Sequence, residues 1–262
     1  MKSPSLVYAA TLAPPDGLLI FSQSIFAEFH SVERMLMIRL VDVGLTYKNL
    51  VGSLRGVNLH VPKQDFLFIV GPTGGGKSSI LKLLYRDVIA TEGSVFVFNK
   101  EVAKLRAREI PYFRRRIGVI FQDFLLIPTK TAWENVAFAL QVQGIRLKQQ
   151  RQLVPEMLEM VGLLGKFERK PGELSGGEQQ RLCIARALVS KPSILIADEP
   201  TGNLDPDTSV GIMDLLVKIN QRGTTVVVAT HDEKIVNEFR RRVVRVEHGR
   251  IVSDAPAGTY NE

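Results

Sequence analysis

The stretch Phe66-Leu67-Phe68-Ile69-Val70-Gly71-Pro72-Thr73-Gly74-Gly75-Gly76-Lys77-Ser78-Ser79 decides the fold. Its first five residues are all apolar, which suits a strand buried on both faces, as in a parallel sheet. The run stops at Gly71, and Gly71 to Ser78 keeps the spacing G-x-x-x-x-G-K-[ST] between that strand and an expected helix over about Lys77 to Tyr85. Glycines there allow successive backbone N–H groups to converge on phosphate oxygens. The start of the helix adds positive potential at the same point. Lys77 is placed to reach the β- and γ-phosphates of a nucleotide, and Ser78 to ligate Mg²⁺.

Working outward, the pattern alternates between strands and helices. Ile38 to Val43, Leu54 to Val61, Ser94 to Phe98 and Ile117 to Phe121 read as strands before the middle of the chain, and Ile194 to Ala197 and Thr225 to Ala229 after it. Val243 to Val246 and Arg250 to Val252 read as a closing hairpin turning at Gly249. Between about Thr131 and Val189 the spacing is helical, with a capping box from Thr131 to Glu134 and a helix ending near Gly162. This is the pattern of a mainly parallel sheet with helices on its faces and a helical insertion. Asp198 and Glu199 close the buried run Ile194 to Ala197, and a strand tip aims side chains into the ligand crevice of such a sheet. Asp198 suits the surroundings of Mg²⁺, acting through water. Glu199 suits orientation and deprotonation of an attacking water. Together the two motifs specify a P-loop nucleotidase and no more.

A third motif narrows this. Leu174-Ser175-Gly176-Gly177-Glu178 opens a helix running to about Val189. Ser175 and Glu178 are explained as an N-cap and its capping-box partner. Two helix-disfavouring glycines in the first turn are not. They suit close approach by another group, and a helix N-terminus suits an anion, so the motif reads as a second phosphate-binding surface.

With these residues the chain, over about 35–255, resembles the ATP-binding-cassette (ABC) ATPase family. The resemblance implies an α/β fold: a RecA-like P-loop NTPase core with a mainly parallel sheet, an N-terminal antiparallel β subdomain and an inserted α-helical subdomain. Its boundaries are expected at 35–262 for the ATPase domain, with the core over about 35–121 and 191–255 and the helical part over about 122–190. The resemblance also implies roles. Leu174 to Glu178 looks like the signature that contacts ATP held by the opposite subunit. Gln122 looks like the glutamine linking Mg²⁺ and water to a membrane partner. Asn203, Leu204 and Asp205 look like the loop at the dimer contact. His231 looks like the histidine at the γ-phosphate, and Tyr47 like the aromatic residue stacking on adenine. Nucleotide contacts are expected from Gly71, Pro72, Thr73, Gly74, Gly75, Gly76, Lys77, Ser78 and Ser79. Ser78, Gln122 and Asp198 are expected around the metal. A signature on the helical insertion faces away from its own phosphate loop, so a two-fold, head-to-tail homodimer formed on ATP binding would complete both sites. The phosphate loop departs from the family's more frequent Ser-Gly-Ser-Gly-Lys-Ser-Thr but keeps a hydroxyl at Thr73 and Ser79.

Glu199-Pro200-Thr201-Gly202-Asn203-Leu204-Asp205 resembles the branch serving lipoprotein release, macrolide export and cell division. The stretches Ile117 to Pro128, Thr131 to Leu140 and Lys82 to Tyr85 look most like its cell-division ATPases. That likeness implies an integral membrane partner, control of cell-wall hydrolases and a peripheral place on the cytoplasmic face of the plasma membrane. An exporter or lipoprotein-release ATPase is the nearest rival. A nucleic-acid-associated ATPase is a rival of another class, but the chain lacks the tandem cassettes or long coiled-coil insertions usual there.

Composition fits a globular chain able to bury a core: 262 residues, 45% hydrophobic and 23% charged. Its one cysteine, Cys183, excludes an internal disulfide and is expected to be buried on a helix. No apolar run approaches the roughly 20 residues of a membrane helix. The net charge of +7 includes clusters at Arg114 to Arg116 and Arg240 to Arg242, read as solvated surface. Trp133 is read as a packing residue. Residues 1–34 show no sustained period and are expected to be a loose extension or to precede the true start, with Met35 or Met37 as the initiator.

Overall fold

The computed structural model describes residues 36–47 and 52–261. The extension expected over 1–34 and a start at Met35 lie outside the described residues. In chain order the strands are β1 (Leu36–Thr46), β2 (Gly52–Pro62), β3 (Phe66–Val70), β4 (Glu92–Val97), β5 (Lys100–Glu101), β6 (Ile117–Ile120), β7 (Ile194–Asp198), β8 (Thr225–Ala229), β9 (Arg242–Glu247) and β10 (Arg250–Ala255). The α-helices are α1 (Lys77–Leu84), α2 (Ile110–Arg114), α3 (Ala132–Gln141), α4 (Leu147–Met160), α5 (Gly176–Leu188), α6 (Pro206–Gln221) and α7 (Glu233–Phe239).

The strands form two sheets. The larger runs β10-β9-β3-β8-β7-β6, parallel from β9 to β6 and antiparallel only at β10. The smaller, β2-β1-β4-β5, is antiparallel throughout. Alternation along β3 shows why its sequence is apolar without a break. Phe66, Phe68 and Val70 enter a core shared with α3 to α7. Leu67 and Ile69 enter a second core shared with α1 and the antiparallel sheet. Every residue of β3 is buried. At roughly 1.5–3 kcal/mol per buried large apolar side chain, this strand anchors both layers.

The helical middle is organised by its caps. Thr131 accepts from the Glu134 backbone and Glu134 reaches back to Thr131, closing the expected box. Asn135 is fully buried and holds the preceding loop, accepting from the Ile127 backbone and donating to the Ile127, Lys130 and Thr131 carbonyls. Trp133 packs against the core as expected. Among the described residues no helix is long and apolar enough to cross a membrane.

Within the Arg240 to Arg242 cluster Arg240 is exposed as expected, but Arg242 departs from its reading as solvated surface. Arg242 is about 17% exposed and bonds Asp254 with two nitrogens. It also donates to Asp65 and to the His60 carbonyl. One guanidinium fork thus fastens β9 to β10 and to the β2–β3 connection, which is geometry a lysine could not supply.

Candidate active site

Four parallel strands deliver the site at their C-terminal ends. β3 leads into Gly71, β6 into Gln122, β7 into Asp198 and Glu199, and β8 into His231. They open on a cleft of about 360 Å³ lined by Tyr47, Thr73, Gly74, Gly76, Lys77, Ser78, Ser79, Gln122, Glu199 and His231, and by Ser53. Ser53 was not foreseen. β2 pairs with β1 and carries Ser53 against the phosphate loop, and nothing in its local sequence marks that outcome.

Gly71, Gly75 and Gly76 of the phosphate loop are forced by close approach. Gly71 has φ +137°, and a Cβ there would lie 2.1 Å from the Val246 carbonyl oxygen. Gly76 has φ +115° and forms the N-cap of α1. The loop therefore rests directly on the end of β9, its backbone committed before any ligand arrives. Lys77 is buried and donates to the Gly71 and Pro72 carbonyls at 2.8 and 3.2 Å. Its ammonium is 3.9 Å from Glu199 Oε1.

Opposite the loop, the Ser78 hydroxyl donates to Asp198 Oδ1 at 3.1 Å. Burial raises the Asp198 carboxyl above its usual range, the Ser78 hydrogen bond lowers it, and the neighbouring Glu199 charge raises it again. Tyr85 lies behind this pair, its phenol pushed up to about 12 by burial and by Asp87 and Asp198. Glu199 adopts φ +48°, and its backbone N–H donates to Ala229 across the β7–β8 boundary. Its side chain meets His231 Nδ1 at 2.8 Å and accepts from the His231 backbone at 3.3 Å. The strand tips thus bring Glu199, His231 and Lys77 into one cluster. Tyr47 reaches the same cleft through a 3.4 Å contact between its hydroxyl and Ser79.

Leu174 to Glu178 line no part of this cleft. Ser175 and Glu178 make the expected box, and Glu178 also pairs with Lys166 at 3.0 Å. That pairing, with the Ser175 backbone N–H, holds the Glu178 carboxyl below its usual range. Ser175 and Gly176 are exposed. Gly177 has a reason inside the chain: a Cβ there would strike Thr208 Cγ2 at 2.5 Å. The segment is nevertheless braced towards the site, because Gln180, buried in α5, donates to the Pro200 carbonyl just after Glu199. Asn203 is exposed and Leu204 half-buried; Asp205 caps α6, accepting from the Thr208 backbone, and hydrogen bonding from the Thr208 side chain and then its backbone lowers the Asp205 carboxyl. Cys183 is buried as expected, its thiol pushed up to about 12 by burial.

Comparison with known proteins identifies the family. The family model described as ABC transporter matches residues 54–202. The cell division ATP-binding protein FtsE of Streptococcus pneumoniae serotype 2 is 48% identical over 226 residues, covering 86% of this chain and 98% of that protein. FtsE of Mycobacterium tuberculosis is 51% identical over the same length and the same coverage. Among solved structures, a dimeric ATP-binding cassette in a post-hydrolysis state, bound to ADP and phosphate, matches with a TM-score of 0.77 and 38% identity over 85% of this chain and 99% of that one. The chain belongs to the ABC transporter family, as one of its ATP-hydrolysing cassettes.

Proposed function

We propose that the chain is an FtsE-like cell-division ATPase that works as a homodimer on an FtsX-type membrane partner and controls cell-wall hydrolases through it. The observation that carries the dimer is the cleft itself. It holds phosphate loop, base and histidine, while the exposed N-terminus of α5 lies outside it. A second copy, related head to tail, supplies Ser175 to Glu178 to the γ-phosphate and brings Asn203, Leu204 and Asp205 to the contact.

Within each site, Gly71 to Gly76 cradle the phosphates of ATP, Lys77 neutralises them, and Tyr47 stacks on the adenine. Glu199 holds the attacking water and takes its proton. His231 orients Glu199 and meets the γ-phosphate. Ser78 and Asp198 converge at the end of β7, and no group of three His, Cys, Asp or Glu side chains that could hold a metal occurs among the described residues. That sparse donor set suits Mg²⁺, which takes one or two protein ligands and leaves the rest to phosphate and water. When bound, Mg²⁺ would offset charge on the phosphates, with Ser78 as direct ligand, Asp198 acting through water and Gln122 completing the set.

The membrane partner is assigned to a second cleft, of about 810 Å³, walled by Ile110, Pro111, Phe121, Leu125, Phe138 and Val142. Leu125, Phe138 and Val142 are each more than 40% exposed. Phe121 immediately precedes Gln122, so an occupant there abuts the catalytic glutamine. This reading places the chain on the cytoplasmic face of the plasma membrane, held there by its partner, with no nucleic-acid role. The test is co-purification in mild detergent with a co-expressed FtsX-type protein. The parent chain is expected to retain it and Phe138→Asp to lose it while keeping its own ATPase activity. Retention of a lipoprotein-release or macrolide-export permease in place of the FtsX-type protein would redirect the assignment.

A further inference from the structure

The +7 charge of the chain is concentrated. Between Lys100 and Arg116 there are seven basic residues and two acidic ones, an excess of five charges in a stretch that links β5 to α2 and β6. Both acids are already engaged: Glu101 pairs with Lys104 at 2.6 Å, and Glu109 with Arg106 at 2.9 Å. The arginines at the end of α2 are held in place without being neutralised. Arg114 donates to the Tyr85 and Arg86 carbonyls, and Arg115 to the Val142 carbonyl. Lys100, Arg106 and Arg108 are exposed.

An aromatic side chain stands among these charges. Tyr112 is 67% exposed, the most exposed of the large apolar and aromatic residues described, with Arg115 stacked on its ring at 4.8 Å. Exposed tyrosine beside fixed cations is the chemistry of a lipid headgroup interface, where the ring lies at headgroup depth and cations meet phosphodiesters. The patch is continuous with the apolar cleft assigned to the membrane partner, because Ile110, Pro111, Arg114 and Arg115 line both. A nucleic-acid surface would call for several stacking aromatics along the charged strip, and Tyr112 is the single exposed one here.

We propose that the Lys100–Arg116 segment binds the anionic phospholipid headgroups of the bilayer directly, beside the partner cleft. It adds a lipid contact to the membrane-associated reading above. It is measured without the partner, so its failure leaves the partner assignment standing, and failure of that assignment leaves vesicle binding unchanged.

The experiment is co-sedimentation of the full chain with neutral phosphatidylcholine vesicles and with vesicles containing about one third phosphatidylglycerol, at low and high salt. Binding is expected only to the anionic vesicles, falling steeply as salt rises. Lys100→Glu with Arg108→Glu is expected to lower it about tenfold or more, and Tyr112→Ser by a smaller factor at unchanged salt dependence. A control pair with the same charge change elsewhere, Lys148→Glu with Lys218→Glu, is expected to bind like the parent. Unchanged melting temperature and ATPase activity establish that each variant is folded. Equal binding to neutral and anionic vesicles, no binding to either, or equal losses in the two charge-reversal pairs would each overturn the proposal. So would loss of a detergent-solubilised, lipid-free partner complex in Lys100→Glu/Arg108→Glu with vesicle binding intact, which would assign the patch to protein.

Discussion

Around Lys77 the backbone is locked by contacts that leave no room for a side chain, whereas around Ser175 it is exposed and merely capped. Gly71 presses on Val246, Gly75 lies within reach of two carbonyls, and the Lys77 ammonium is already held by Gly71 and Pro72. Ser175 needs only its own helix, through the box with Glu178. The first region is a receptor finished by its own fold. The second is a helix start whose exposed residues, Ser175 and Gly176, line no part of the cleft. Under the proposed head-to-tail dimer, one site is divided between copies of the chain: the strained half is built where folding energy supports it, and the exposed half is left where a second copy can reach it.

The comparison breaks first, and most visibly, at Glu199, the proposed base. Glu199→Gln keeps the shape and the contact with His231 but removes the proton acceptor. Turnover is expected to fall by at least about 100-fold while ATP still binds, and the ATP-bound pair to persist on gel filtration. Hydrolysis at the parent rate would remove Glu199 from its role. The division between copies is tested next by mixing. Lys77→Ala spoils the receptor half, and Ser175→Arg spoils the donated half. Each alone is expected to be inactive, and together they should regain about one working site per heterodimer. A mixture as inactive as its components would mean that both halves serve the same chain.

Much of this was legible in the sequence because the parallel strands are buried on both faces, which makes runs such as Phe66–Val70 and Ile194–Ala197 apolar without a break. The residues just past those runs had to be chemical, since the strand ends share one crevice. What stayed hidden depended on distant partners. Ser53 reaches the cleft only through pairing of β1 with β2. Arg242, read as part of a solvated cluster, is turned inward by Asp65, 177 positions away. Gly177 was read as room for a second phosphate surface, but Thr208 on α6 already requires it, so only Gly176 remains free for that purpose.

Two alanine substitutions sharpen the contrast at smaller scale. Gly71→Ala forces a Cβ onto a backbone carbonyl at φ +137° and is expected to cost about 3 kcal/mol of stability or more, read by denaturant unfolding without nucleotide. Gly176→Ala meets Leu204 Cδ2 at 3.4 Å and the Asn203 carbonyl oxygen at 4.0 Å, both ordinary contacts. Its stability should stay within about 0.5 kcal/mol of the parent, while turnover drops about tenfold because the other copy can no longer approach closely. Equal damage to folding at both positions would erase the distinction between a locked and an open half.

The smallest effect tests whether the receptor half is held at a cost to the empty fold. Burial raises the Asp198 carboxyl, so the folded chain binds this proton more tightly than the unfolded chain does. Below the unfolded value, near 3.9, both states are protonated and the group contributes nothing to the balance. As pH rises through the raised folded value the unfolded state is favoured, and at neutral pH the cost is fully present. Asp198→Asn keeps an acceptor for the Ser78 hydroxyl and removes the charge. Without nucleotide it is therefore expected to be more stable than the parent at pH 7, with the gain vanishing below about pH 4. The same variant should lose Mg²⁺-dependent turnover. Thermal unfolding across that pH range decides the matter: a variant less stable than the parent at neutral pH would mean that the Asp198 charge supports the empty fold, and that the locked half carries no stored cost for the nucleotide to relieve.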